Sequence, residues 1–93
     1  MPQVLFPLGT TVITPGALRA LMLQDVSPLL LYDRHAAGDW SDMEPEDQAS
    51  NAKSVHKDGR IFSSYRVGVQ KQKVWVITKA DRSVTTILLP LEY

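Results

Sequence analysis

The sequence contains no cysteine and no long hydrophobic run, and its ten acidic residues balance its ten basic residues. Without cysteine there is no disulfide, no cysteine-ligated zinc or iron–sulfur cluster and no thiol nucleophile. Apolar runs such as Leu29–Tyr32 reach only four residues, far fewer than the roughly 20 of a membrane-spanning helix. Met1–Val4 shows no basic region leading into a long apolar stretch, so no secretory signal is expected. We therefore expect a cytoplasmic protein with no membrane partner and no cofactor.

What the chain does have is the material for one small domain, residues 1–93, with 44% apolar residues. Its zero net charge conceals a split, because residues 25–51 carry seven acids and one base, whereas residues 52–82 carry eight bases and two acids. Such a layout either neutralises itself in the fold or presents two opposite faces to partners. The overall neutrality disfavours both a dedicated duplex-DNA binder and an acidic DNA mimic.

The spacing of apolar and capping residues predicts three short helices in the first two thirds of the chain. Thr14-Pro15 and Ser27-Pro28 each combine a good N-cap with a proline at the first helical position. Gly38 suits the end of the second helix. Ser41–Glu44 has the pattern of a capping box for a third helix, which Gly59 ends.

Three β-forming runs follow, at Arg60–Val67, Lys73–Thr78 and Val84–Leu89. Their short connections favour an antiparallel meander, and extended residues 3–13 supply a possible N-terminal edge strand. The predicted fold class is α+β, with this three-stranded meander covered by two or three short helices. The central run is expected to be buried on both faces. The side chains expected to lose most of their exposure are Leu18, Phe62, Trp75, Ile77, Ile87 and Leu89.

One group of candidate residues combines a histidine with carboxylates. His35, Asp39 and Asp42 could bind a divalent metal or form a general base held by a carboxylate. Only one histidine is available there, however, and the spacing is not diagnostic of a metal site. The structural interpretation is that His35 borders the second helix, Trp40 fills the core and the acids cap turns.

A second group of candidates is basic and lies around the predicted hairpins. Lys73 lies near Trp75, and basic side chains interleaved with aromatic ones are typical of single-stranded nucleic-acid surfaces. A buried position for Trp75 is the alternative, because its strand is the most apolar. Arg82 lies at the tip of a turn, where it either projects or serves the turn. A nucleic-acid-binding regulator would use Arg60, Arg66, Lys71, Lys73 and Arg82.

Several motifs are spread over residues 12–93. They include Thr14–Leu18, Arg34-His35 with Gly38-Asp39-Trp40, and the run Ala80–Pro90. Together they resemble a family of small bacterial proteins carried by plasmids, prophages and other mobile elements, often labelled plasmid-related. The chain departs from the family pattern at Ser41, Lys79 and Leu91, where glycine, glutamate and an acidic residue are usual. No reaction or ligand is established for the family, so the resemblance implies a setting and no chemistry.

In that setting, short single-domain proteins are often inhibitors of host defence, such as anti-CRISPR or anti-restriction proteins. Because the sequence holds no complete catalytic set, we expect a non-enzymatic protein that binds a host protein or ribonucleoprotein complex. Two alternatives stay open: a small hydrolase or nuclease using His35, Asp39 and Asp42, and the nucleic-acid-binding regulator. The residues predicted to contact the partner are Asp39, Asp42, Glu46, Asp47, Arg66, Lys73 and Arg82.

Overall fold

The computed structural model describes residues 3–93, in which one strand and three helices precede three further strands. The strands are β1 (Thr10–Ile13), β2 (Ile61–Val67), β3 (Gln72–Thr78) and β4 (Val84–Leu88). The helices are α1 (Pro15–Leu23), α2 (Pro28–Ala36) and α3 (Pro45–Lys57), and a short 3₁₀ turn, Pro90–Glu92, follows β4. The predicted α+β class is confirmed. No helix within residues 3–93 is long and apolar enough to cross a membrane.

The four strands form one sheet in the order β1-β4-β3-β2. The last three strands make the predicted antiparallel meander, and β1 adds to β4 in parallel, so the sheet is mixed. The backbone amides of Thr10 and Thr14 donate to the carbonyls of Ser83 and Ile87 at 2.9 and 3.0 Å. The possible N-terminal edge strand is thus real, and it places the start of α1 beside the end of β4.

Helices α1 and α2 begin as predicted, but α3 does not. The side chains of Thr14 and Ser27 accept hydrogen bonds from backbone amides of the first turns of α1 and α2, each of which has proline at its first position. Helix α3 begins at Pro45, and neither Ser41 nor Asp42 caps it. The reason is that proline suits a first helical position and keeps the residue before it extended.

Helices α1 and α2 cover one side of the sheet, which we call the covered face, and α3 lies along the outer edge of β2. The alternation of β2 places Ile61, Ser63, Tyr65 and Val67 on this face, all buried. The main core packs α1 and α2 against this surface, and a smaller cluster of Phe6, Trp40 and Ile61 lies beside it. The other buried residues of the main cluster are Ala17, Leu21, Leu31, Tyr32, Val74, Val76 and Ile87.

The opposite side of the sheet, which we call the open face, is only partly covered. The expectation that β3 is buried on both faces is wrong, because Trp75 and Ile77 are half-buried and Lys73 is exposed. The expected burial of Ile87 is confirmed, whereas Leu18 is 38% exposed. Phe62 and Leu89 are half-buried like Trp75. Helices α1 and α2 lie on the covered face and α3 lies along the edge of β2, so none of the three covers the open face of β3.

Candidate functional site

A cleft of about 380 Å³ lies where α3 and the loop before it meet the open face of the β2–β3 hairpin. We call it the sheet cleft. Its acidic wall contains Asp42, Glu44 and Asp47. Its floor contains Phe62, Ser64, Arg66, Lys73 and Trp75.

Strand register builds the floor of the sheet cleft. Arg66 lies directly opposite Lys73, and Ser64 lies directly opposite Trp75. The ring of Trp75 packs against that of Phe62, with centroids 4.7 Å apart. Two cations therefore stand next to an aromatic surface on the same face.

Side chains from α3 and its preceding loop close the outer edge of β2. The Asn51 amide donates to the Phe62 carbonyl at 2.7 Å and accepts from the Phe62 amide at 3.1 Å. The Asp42 carboxylate accepts from the Arg66 backbone amide at 3.2 Å. These bonds take the place of a neighbouring strand, and they hold the acidic wall against the floor.

The charge split in the sequence converges on this cleft, because the acidic part supplies its wall and the basic part its floor. The ion pairs of residues 3–93 all involve Arg34, which lies 2.7 Å from Asp39 and 3.7 Å from Asp42. The other charged groups of the cleft have no ion-pair partner in this part of the chain. They are Glu44, Asp47, Arg66 and Lys73.

The structure brings four of the seven predicted contact residues together, since Asp42, Asp47, Arg66 and Lys73 all line the cleft. The other three lie elsewhere. The hydrogen bond from the Arg34 guanidinium lowers the pKa of Asp39. Glu46 is exposed on the first turn of α3 but does not line the cleft.

Arg82 was predicted to contact the partner, but its guanidinium does not project freely and serves the fold. Its guanidinium donates to the carbonyls of Gly59 at 2.6 Å and Ser54 at 2.8 Å, and to carbonyls of its own turn. It also lies over the ring of Phe6, at 5.7 Å from the centroid. Arg82 thereby ties the end of α3 to the β3–β4 turn through both of its terminal nitrogens.

His35 is fully buried in the covered face, where hydroxyl groups contact both of its ring nitrogens. Nε2 lies 2.8 Å from the Thr78 hydroxyl, which lies 2.7 Å from that of Thr85. The Thr85 hydroxyl donates its proton to the Leu8 carbonyl, so it must accept from Thr78. Thr78 has then used its own proton, so Nε2 of His35 carries a hydrogen and donates it.

The same reasoning fixes the other side of the imidazole. The Trp40 indole donates to the Ser63 hydroxyl at 2.8 Å, and Ser63 lies 2.5 Å from Nδ1 of His35. Burial lowers the pKa of His35 to about 3, so the ring is neutral and Nδ1 accepts the Ser63 proton. The result is a one-directional hydrogen-bond chain from Trp40 to Leu8, which we call the buried hydrogen-bond chain.

This arrangement does not bring together the residues of the hydrolase alternative. His35 has no exposed surface and does not line the sheet cleft, whereas Asp39 and Asp42 lie with Arg34 near the surface. The Ser63–His35 contact has the atoms of a nucleophile–base pair, but Ser63 is also fully buried. Within residues 3–93, no group of three or more histidine and carboxylate side chains is placed to hold a metal ion.

Sequence reasoning missed the roles of Phe62 and Glu44 in this site, and it placed Trp75 beside Lys73 on an exposed surface only as the less favoured interpretation. The aromatic residues were assigned to the core and Glu44 to the start of a helix. The alternation of side chains in β3 was a usable signal. Lys73 lies on the same side of the strand as Trp75, and the charged group of Lys73 requires access to water.

Compared with known proteins, the chain matches no family model, no curated protein and no solved structure. The resemblance to mobile-element proteins therefore stays a prediction.

Proposed function

We propose that this chain is a non-enzymatic binding protein of a bacterial mobile element, and that its sheet cleft contacts a host defence complex. The observation that carries the proposal is the sheet cleft itself. It presents charges of both signs, unpaired within residues 3–93, around a half-buried tryptophan. Protein contact sites characteristically combine an aromatic anchor with charges that complement those of the partner.

The non-enzymatic part of the proposal is supported by the state of the residues that could act as a base or a nucleophile. His35 and Ser63 are buried, and both use their hydrogen-bonding atoms within the buried hydrogen-bond chain. A general base has to reach a substrate proton within hydrogen-bond distance. Neither side chain can do this without opening the core.

The choice of target rests on the resemblance to the mobile-element family, in whose setting small single-domain proteins often block CRISPR or restriction complexes. The sheet cleft supports binding, and the resemblance supports the identity of the partner. Charge attraction mainly raises the association rate and is screened by salt. We therefore expect the interaction to weaken as ionic strength rises.

A nucleic-acid-binding regulator is the second candidate, and one observation favours it. Trp75 lies on the open face beside Arg66 and Lys73, and a stacking ring next to cations suits a single strand. Glu44 and Asp47 line the same cleft and would repel phosphates. The protein partner therefore accounts for more of the site.

The test measures phage plating on bacterial strains that carry CRISPR or restriction systems directed against the phage. We expect expression of the chain to restore plating by at least about tenfold in a strain whose defence it blocks. The double variant Arg66→Glu/Lys73→Glu should lose this effect, because it reverses the cations of the cleft.

The matched control is Lys53→Glu/Lys57→Glu, which makes the same charge change on the exposed part of α3, away from the cleft. It should restore plating as the unmodified chain does. If no defended strain responds, the proposed target is wrong. If the cleft variant acts as well as the control, the sheet cleft is not the contact surface.

A further inference from the structure

We infer that the occupant of the sheet cleft is a polypeptide segment carrying adjacent acidic and basic side chains. Its carboxylate would lie between Arg66 and Lys73, and its cation would face Glu44 and Asp47. The inference rests on the proposed function and specifies the chemistry of the partner.

The first step of the inference is that two cations lie directly opposite each other on the paired strands β2 and β3. The Arg66 amide points away from β3 towards Asp42, so Arg66 and Lys73 form a pair without mutual backbone hydrogen bonds. Such pairs are the closer kind, with Cα atoms about 4.5 Å apart. Like charges in directly opposite positions repel each other. An anion supplied by a partner would relieve that repulsion.

The second step is the chemistry of the anion. A guanidinium offers a planar fork that binds a carboxylate or a phosphate through two parallel hydrogen bonds, and an ammonium adds a mobile point charge. The guanidinium and ammonium of Arg66 and Lys73 make no side-chain hydrogen bond or ion pair within residues 3–93, so these donors are available. By itself, the cation pair does not distinguish a carboxylate from a phosphate.

The acidic wall makes that distinction. Glu44 and Asp47 are exposed, line the same cleft and have no ion-pair partner in the described part of the chain. A nucleic-acid strand would bring repeated negative charge past them. A segment with one acidic and one basic side chain satisfies both sides, and the stem of its basic residue can pack on the Trp75 ring.

The closed edge of β2 determines how such a segment can bind. Asn51 and Asp42 already occupy outward-facing backbone groups of Phe62 and Arg66. A partner strand therefore cannot extend the sheet there and must lie across the open face, bound through side chains. In an extended segment, neighbouring side chains point to opposite sides, so consecutive acidic and basic residues can reach the floor and the wall.

The test uses nuclear magnetic resonance of the full chain with four short probes of equal length. These are an alternating Glu-Lys peptide, an all-Glu peptide, an all-Lys peptide and oligothymidylate. The indole N–H signal of Trp75 reports on the cleft. That of Trp40 is an internal control, because it is buried and bonded to Ser63.

We expect the alternating peptide to shift the Trp75 signal saturably and to bind at least about fivefold more tightly than each other probe. The variants Arg66→Gln/Lys73→Gln and Glu44→Gln/Asp47→Asn should each weaken this binding by about tenfold. The control Lys53→Gln/Lys57→Gln removes the same charge as the first variant and should leave binding unchanged.

Tighter binding of oligothymidylate would overturn the inference in favour of a single-stranded nucleic acid. Equal binding of the all-Glu peptide would show that the acidic wall takes no part, and an unmoved Trp75 signal with every probe would exclude a peptide site. Phage plating distinguishes these failures from failure of the proposed function. If plating depends on Arg66 and Lys73 but no peptide binds, only the inference fails. If the alternating peptide binds but no strain responds, only the host-defence target fails.

Discussion

Polar side chains on the two faces of the sheet differ in burial and in whether they have partners. On the covered face, His35, Ser63, Thr78 and Thr85 have no exposed surface and bond to one another in a fixed direction. On the open face, Arg66 and Lys73 stand opposite each other, and neither has an ion-pair partner within residues 3–93. The comparison separates polar groups that stabilise the fold from polar groups that are free to bind a partner.

The covered face shows what is required for every buried polar side chain to have a hydrogen-bond partner. Every buried side-chain nitrogen and oxygen in residues 3–93 has a hydrogen-bond partner. In the buried hydrogen-bond chain, each hydroxyl donates once and accepts from the group before it. Removal of an internal member leaves each neighbour with one hydrogen bond unmade in a region that water does not reach, which costs free energy.

The largest loss of stability should come from removing His35, which lies at the centre of the buried hydrogen-bond chain. His35→Ala leaves the Ser63 proton without an acceptor and the Thr78 oxygen without a donor, and it creates a cavity, so we expect a loss of about 3–5 kcal/mol in the free energy of unfolding. Urea denaturation at neutral pH measures it. His35→Gln, which keeps a donor and an acceptor, should lose less, and exposed His56→Ala should change stability by less than about 0.5 kcal/mol. A loss of less than about 1 kcal/mol for His35→Ala would contradict the stabilising role.

The pH dependence of stability tests the same residue without a mutation. The pKa of His35 is about 3 in the folded protein and about 6.5 in an unfolded chain, so the unfolded state binds the proton more tightly. This contribution to stability is complete above pH about 6.5 and is lost as the pH falls towards 3. We expect about 2 kcal/mol to be lost between pH 7 and pH 5, measured by urea denaturation at each pH.

The carboxylates with depressed pKa values, Asp39, Asp81 and Glu92, act in a lower range. Their contribution is lost only as the pH falls below the usual carboxylate range of about 4, so the interval from pH 7 to pH 5 isolates the histidine. Constant stability across that interval would mean that the buried imidazole accepts a proton without opening the core.

The two tryptophans allow a matched comparison between the faces. Trp40 is 6% exposed and donates to Ser63, so Trp40→Ala should cost about 3–5 kcal/mol. Trp75 is half-buried on the open face, and Trp75→Ala should cost about 1–2 kcal/mol while abolishing binding at the sheet cleft. Denaturation curves of the two variants measure the difference. Equal losses would place Trp75 in the core and remove it from the site.

The smallest effect should be a gain in stability on the open face. Lys73→Thr removes a like charge opposite Arg66 and introduces a good strand former, so we expect an increase of about 0.3–0.5 kcal/mol at low salt. The charge-dependent part should disappear in about 1 M NaCl, where electrostatic interactions are screened. A loss of stability at low salt would mean that attraction to the acidic wall outweighs repulsion by Arg66.

The sequence by itself determined the local features of this protein. Thr14 and Ser27, each followed by proline, specify the starts of α1 and α2, because a side-chain oxygen and a fixed φ angle act within a few residues. The alternation in β2 and the short connections between strands likewise predicted the meander and the side of β2 that faces the core. The start of α3 was the exception, since Pro45 overrode a capping pattern just before it.

Only the tertiary structure decided which polar residues became core and which became surface. An apolar strand such as β3 does not encode how many helices will cover it, so Trp75 was predictable as a strand residue but not as the floor of a cleft. His35 and Asp39 are four residues apart, yet one is sealed beside Ser63 and Thr78 while the other pairs with Arg34 near the surface. The physical reason is that burial and charge pairing depend on contacts between residues far apart in the chain, which local propensities do not contain.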